Sequence, residues 1–222
     1  MRNALRTVVL FDCSHTLAGA YLQQTEYPFE ALCAIEEWIC ALGEQLPVER
    51  YEKKGEALWI ARSATIAPTA QICGPCIIGE RTQIRHCAYI RAGVLVGDDC
   101  VVGNSTELKN SILFDGVQVP HFNYVGDSIL GHLVHFGAGV IASNVRADKQ
   151  DVVLHAADSD VPTGRRKVGA MVGDGSEVGC GAVLAPGCVI GKGSIVYPLC
   201  FVRGCVGTNS ILKSDKSIIK RN

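Results

Sequence analysis

The chain has 222 residues, 48% of them apolar, 6% aromatic and 19% charged, with a formal net charge of −1. Such a near-neutral balance removes the broad electrostatic case for nucleic acid or a membrane surface as partner, and neither is expected. The basic start "MRNALRTVVLFDC" contains only a short apolar run ending at Asp12, no uncharged stretch reaches membrane-spanning length, and a cytoplasmic protein is expected.

Residues 1–56 form the first unit. "YPFEALCAIEEWICALGEQL" places Pro28 near a helix start and Leu32, Ile35, Ile39 and Leu42 at helical spacing. The spacing predicts a helix over about 29–44 in a small helical N-terminal segment.

A different period governs residues 57–207. Stepping by six from Ile60 meets Ile66, Ile72, Ile78, Ile84, Ile90, Val96, Val102, Leu108 and Phe114, ten positions without a miss. Four residues after each aliphatic a small side chain usually stands, as at Ala64, Ala70, Cys76, Thr82, Ala88 and Cys100. Six is a multiple of the two-residue strand period and fits no helix, and the glycine content suits tight turns between short strands. Three hexads per turn wind the chain into a triangular prism, the hexapeptide pattern of a parallel β-helix. The eleven cysteines are odd in number, and four of them (Cys76, Cys100, Cys188 and Cys200) occupy the small interior slot. They read as filling rather than as a disulfide framework, and "CGPC" is a weak signal for redox or zinc.

The count then lapses in "KNSILFDGVQVPHFNYVGD". It resumes at Leu130, sixteen residues after Phe114 where three hexads need eighteen, so part of a corner is skipped and an inward aliphatic is lost. Departures from an otherwise consistent pattern concentrate at functional sites. Arg91 and Lys109 each follow a ladder aliphatic and lie eighteen residues apart. One full coil separates them, so they stack on one edge at about 4.8 Å and invite an anion. His121 sits in the lapse, and an imidazole is the natural general base near neutral pH. Tyr124 can donate a hydrogen bond to the same ligand. "HLVHF" adds His132 and His135, which with His121 would make three imidazoles for a metal; the acidic partners such a site needs are missing, and no metal is expected.

Residues 142–167, "ASNVRADKQDVVLHAADSDVPTGRRK", read as an inserted loop, and loops of that length tend to be functional. A second ladder follows at Val172, Val178, Leu184, Ile190, Val196 and Val202. With the fragment at Leu130 and Phe136, the ladder hits make about six coils. Residues 208–222 read as a mobile tail.

The run "GNSTELKNSILFDGVQVPHFNYVGDSILGHLVHFGAGVIASNVRADK", followed by "TGRRKVGAMVGDGSEVG", resembles the acetyltransferase half of the bifunctional glucosamine-1-phosphate acetyltransferase/N-acetylglucosamine-1-phosphate uridyltransferases. The likeness spans about residues 58–206. It implies a left-handed prism, a homotrimer, acetyl-CoA as co-substrate and an amino-sugar 1-phosphate as acceptor in nucleotide-sugar biosynthesis. On the same resemblance His121 matches the base, Arg91 and Lys109 the phosphate clamp, and Tyr124 and Lys149 sugar contacts. Ala138, Asn144 and Cys180 fall at acetyl-CoA positions, and Lys167 is a candidate for a coenzyme phosphate. His135 stands where the family has a sugar-contacting asparagine, which leaves the acceptor open. Residues 1–56 hold no Gly-rich nucleotide loop, so nucleotidyltransferase activity is not expected. The rival reading is a non-catalytic sugar-phosphate binder or an assembly partner of a separate nucleotidyltransferase.

Overall fold

The computed structural model describes residues 2–156 and 160–221. From Leu58 onward the chain winds through three sheets in strict rotation. The first sheet is nine-stranded and runs from Tyr51–Lys53 and Leu58–Ala61 to Cys205–Val206; the second, also nine-stranded, runs from Thr65–Ile66 to Ser210–Leu212 and Ile218–Lys220; the third has seven strands, from Gln71–Ile72 to Phe201–Val202. All pairings between successive coils are parallel. Antiparallel hairpins close the two ends, Tyr51–Lys53 on Leu58–Ala61 and Ile218–Lys220 on Ser210–Leu212. They cover the open edges that a solenoid would otherwise present. The stretch expected as a mobile tail thus includes the last parallel strand and its returning partner.

About eight coils are present rather than six. The ruler undercounts because it keeps one phase. The register pairs Val96 with Leu113 and Leu113 with Leu130, two consecutive coils of seventeen residues. Each loses its residue at the corner from the third sheet back to the first, at Asn110 and again at Asp127, and both corner residues adopt positive φ, 48° each. Asn and Asp tolerate that left-handed conformation better than most side chains. No inward aliphatic is lost, since Val119 and Val125 are fully buried. Phe114 is out of the ladder, one place beyond Leu113, yet it is buried against Phe11 with ring centroids 5.1 Å apart.

Burial explains the remaining composition. Strands of the first sheet are buried on both sides, as at Cys76–Ile78, Val94–Val96 and Ser111–Leu113. Their outer face is covered by the N-terminal segment, whose helix Ile35–Gly43 packs on Cys76–Ile78 and Val94–Val96. The predicted single helix is divided: a 3-10 turn, Pro28–Cys33, precedes Ile35–Gly43, with Ala34 between them outside helical geometry. Residues 143–170 leave and rejoin the prism at the shortened corner and include an antiparallel hairpin, Val153–His155 with Asp160–Pro162, anchored by buried Val152, Leu154 and Val161. The four cysteines of the small interior slot are all buried, and burial raises their thiols above the ordinary range.

Candidate functional site

The shortened corner builds a polar cluster around one carboxylate. Asp127, whose side chain is only 4% exposed, accepts from Lys109 Nζ at 3.2 Å on both oxygens and from Asn110 Nδ2 at 2.8 Å. Asn144 Nδ2 donates both to Asp127 Oδ2 and, at 3.2 Å, to the Tyr124 hydroxyl. The five-residue step is what brings this about. It sets Asn110 and Asp127 one above the other at the corner, where the chain leaves for residues 143–170 and returns with Gly169 N donating to the Asp127 carbonyl at 2.7 Å.

Tyr124 lies over Gly126, where an added Cβ would stand 2.5 Å from the phenol oxygen and 2.7 Å from Asn144 Nδ2. A side chain there would have to displace the phenol and the Asn144 amide. Burial raises the Tyr124 phenol above its ordinary pKa, the Asn144 hydrogen bond opposes this, and the Glu107 and Asp127 carboxylates add to it. The group therefore stays a protonated donor at neutral pH, and its oxygen already accepts from Asn144, which leaves the O–H for a ligand.

Arg91 and Lys109 occupy equivalent places in adjacent strands, in the register that pairs Leu108 with Ile90. Each carries its own carboxylate: Arg91 Nη1 donates to Glu107 Oε1 at 3.1 Å, and Lys109 to Asp127. This is how two stacked cations are tolerated without an anion between them. Glu107, Asn110 and Asp127 were not singled out in the sequence, although the Asn and Asp seventeen residues apart were a visible signal for the last two.

His121 ends the strand Gln118–His121 at a different corner, between the second and third sheets. It is exposed, and among the described residues no hydrogen bond or ion pair engages its imidazole. Backbone hydrogen bonds run along this corner from coil to coil: Gly139 N to His121 O at 2.9 Å, Gly181 N to Ala138 O at 2.8 Å and Leu199 N to Cys180 O at 2.9 Å. His121, Ala138 and Cys180 thus line one edge, with Ala138 and Cys180 exposed as well. Gly103 makes room for the strand that carries His121, since a Cβ there would meet the Pro120 carbonyl at 1.6 Å.

The remaining expected residues lie elsewhere. His135 is on the second sheet and pairs with Glu177 through Nδ1 at 2.8 Å. His132 stacks on His15 with ring centroids 3.8 Å apart and meets the Asp115 carbonyl at 2.8 Å through Nδ1. Among the described residues no group of three His, Cys, Asp or Glu side chains is placed to hold a metal ion. Lys149 is exposed, and Lys167 lines a cleft of about 680 Å³ between the N-terminal segment and residues 164–167. No helix among the described residues is long and apolar enough to cross a membrane.

A family model, the GMPPB C-terminal domain, matches residues 72–156. The bifunctional protein GlmU of Methanococcus maripaludis is 40% identical over 92 residues, 41% of this chain and 22% of that protein. A bifunctional sugar-1-phosphate nucleotidylyltransferase/acetyltransferase of Sulfurisphaera tokodaii is 33% identical over 126 residues, 57% of this chain and 31% of that protein. The chain therefore spans less than a third of the length of either relative. Among solved structures, the acetyltransferase domain of PglB from Neisseria gonorrhoeae in complex with acetyl coenzyme A aligns at 17% identity and a TM-score of 0.37, covering 72% of this chain and 55% of that one. Over 92 to 126 residues of its repeats, this chain is similar to the bifunctional sugar-1-phosphate nucleotidylyltransferase/acetyltransferases, and resembles their acetyltransferase half.

Proposed function

We propose that the chain is an acetyl-CoA-dependent N-acetyltransferase of an amino-sugar 1-phosphate, acting in nucleotide-sugar biosynthesis. The observation that carries the reading is the edge on which His121, Ala138 and Cys180 follow one another in hydrogen-bonded register. An acyl thioester laid along that edge meets an exposed imidazole at one end. The sugar ammonium gives a proton to His121, its nitrogen attacks the thioester carbonyl carbon, and the oxyanion is held by a backbone N–H. The intermediate expels the coenzyme thiolate, which takes up a proton, and leaves the amide.

Arg91 and Lys109 hold the phosphate in this reading, pre-oriented by Glu107 and Asp127, while Tyr124 donates to the sugar. These groups lie on the third sheet and its far corner, not on the His121 edge. A trimer in which the His121 edge of one copy meets the Arg91 face of the next would complete the site. Exposed Tyr89, Phe122, Ile141, Leu199 and Phe201 on that face and edge support such contact.

The test is thiol release from acetyl-CoA in the presence of glucosamine 1-phosphate. His121→Ala is expected to lower kcat by about 10²–10⁴-fold. A variant as fast as the parent removes His121 from the base role. His135, at the place of the family's sugar-contacting asparagine, is held by Glu177 and favours the second reading, a sugar-phosphate binder without turnover; saturable binding with no acetylated product would support it.

A further inference from the structure

The cleft of about 680 Å³ has two walls of opposite charge. Glu36 and Glu37, in the first turn of Ile35–Gly43, belong to one; Arg165, Arg166 and Lys167 belong to the other, and Lys109 and Asp127 line the cleft as well. Lys109 gives hydrogen bonds to both Asp127 oxygens, and Arg165 Nη1 contacts Cys33 Sγ at 2.5 Å. Among the described residues no ion pair engages Arg166, Lys167, Glu36 or Glu37. Acidic and basic side chains without ion-pair partners thus line the same cleft. The volume suits a small molecule.

We propose that this cleft binds a sugar phosphate. Its phosphate oxygens accept from Arg166, Lys167 and the third ammonium hydrogen of Lys109, and its hydroxyls donate to Glu36 and Glu37. The N-terminal segment is then part of a ligand site as well as a cover for the prism. Glu36, Glu37 and residues 164–167 all lie outside the stretch matched by the family model. The ligand is either the acceptor of the proposed acetyl transfer, in which case the inference rests on that reading, or a separate non-reacting sugar phosphate.

Calorimetric titration of the full chain with glucose 1-phosphate, which has no amine to acetylate, tests the site without requiring turnover. Saturable binding is expected, weakened on the order of tenfold or more by the exposed double change Arg166→Ala/Lys167→Ala and several-fold by Glu37→Gln. Prior saturation with glucosamine 1-phosphate separates the sources: loss of the glucose 1-phosphate isotherm identifies the acceptor as occupant, and a retained isotherm identifies a second ligand. Absence of saturable binding at millimolar concentration overturns the proposal. So does binding that survives Arg166→Ala/Lys167→Ala but is lost in Arg91→Ala, because the phosphate then sits with Arg91. Failure of acetyl transfer, measured separately by thiol release, leaves the cleft result standing.

Discussion

Asp127 governs the corner because four hydrogen bonds converge on its nearly buried carboxylate. Removing one member of such a pair leaves the others without a counter-charge, which costs more than the pair contributes net. Lys109 retains partial exposure, 23% of its side chain, so its orphaned ammonium is partly rehydrated. Asp127→Ala is expected to cost about 2–3 kcal/mol in chemical denaturation. A variant as stable as the parent would show that the cluster is not what holds the corner. The sequence placed Lys109 and Tyr124 in one neighbourhood but did not single out Asp127, which binds Lys109 and the Asn144 amide that donates to Tyr124, because Asp127 lies at a corner and off the ladder.

Along the corner between the first and second sheets the relevant unit is a column of acidic groups beneath the N-terminal segment. Asp98 N donates to Asp115 Oδ1 at 2.8 Å, Asp115 N donates to the His15 carbonyl at 3.0 Å, and Asp12 N donates to Asp174 Oδ2 at 2.7 Å. Burial raises the Asp115 carboxyl above its ordinary value, the hydrogen bond from Asp98 N opposes this, and the Asp98 charge adds to it; nearby His132 and His15 pull the other way. The folded pKa is raised, so the protein is favoured while Asp115 is protonated and loses that advantage as pH climbs through the folded value. Asp115→Asn is therefore expected to raise the melting temperature at pH 7 and to leave it unchanged below about pH 4. A gain that persists in acid would assign the effect to packing rather than charge. The helix over 29–44 was legible from apolar spacing. Its division at Ala34 was not, since the break is set by how the segment lies on the prism.

At the scale of the whole molecule, the first sheet is covered on its outer side while, among the described residues, strands of the other two such as Gln83–Ile84 and Tyr89–Ile90 keep an exposed outer face. The proposed base lies on the uncovered part, and the proposed phosphate clamp lies at a different corner, where Lys109 lines the cleft beside the N-terminal segment. Under that reading one chain alone lacks a complete site. Co-expression of His121→Ala with Arg91→Ala is then expected to restore part of the activity that each variant lacks alone, because mixed assemblies contain interfaces with both residues intact. Recovery no greater than the sum of the two variants would place each site within a single chain.

The amino-acid order determined the solenoid by itself, because a six-residue spacing of Ile, Val and Leu can bury its aliphatics only in short strands stacked coil on coil. It also located the two stacked cations, since register follows from counting. Only the tertiary structure decided how the lapse in the count divides between two seventeen-residue coils, the carboxylates that neutralise Arg91 and Lys109, and the cleft between Glu36, Glu37 and the 164–167 run. Those features join residues far apart in the chain, and their positions depend on corner geometry and on how the N-terminal segment covers the first sheet, neither of which leaves a periodic trace.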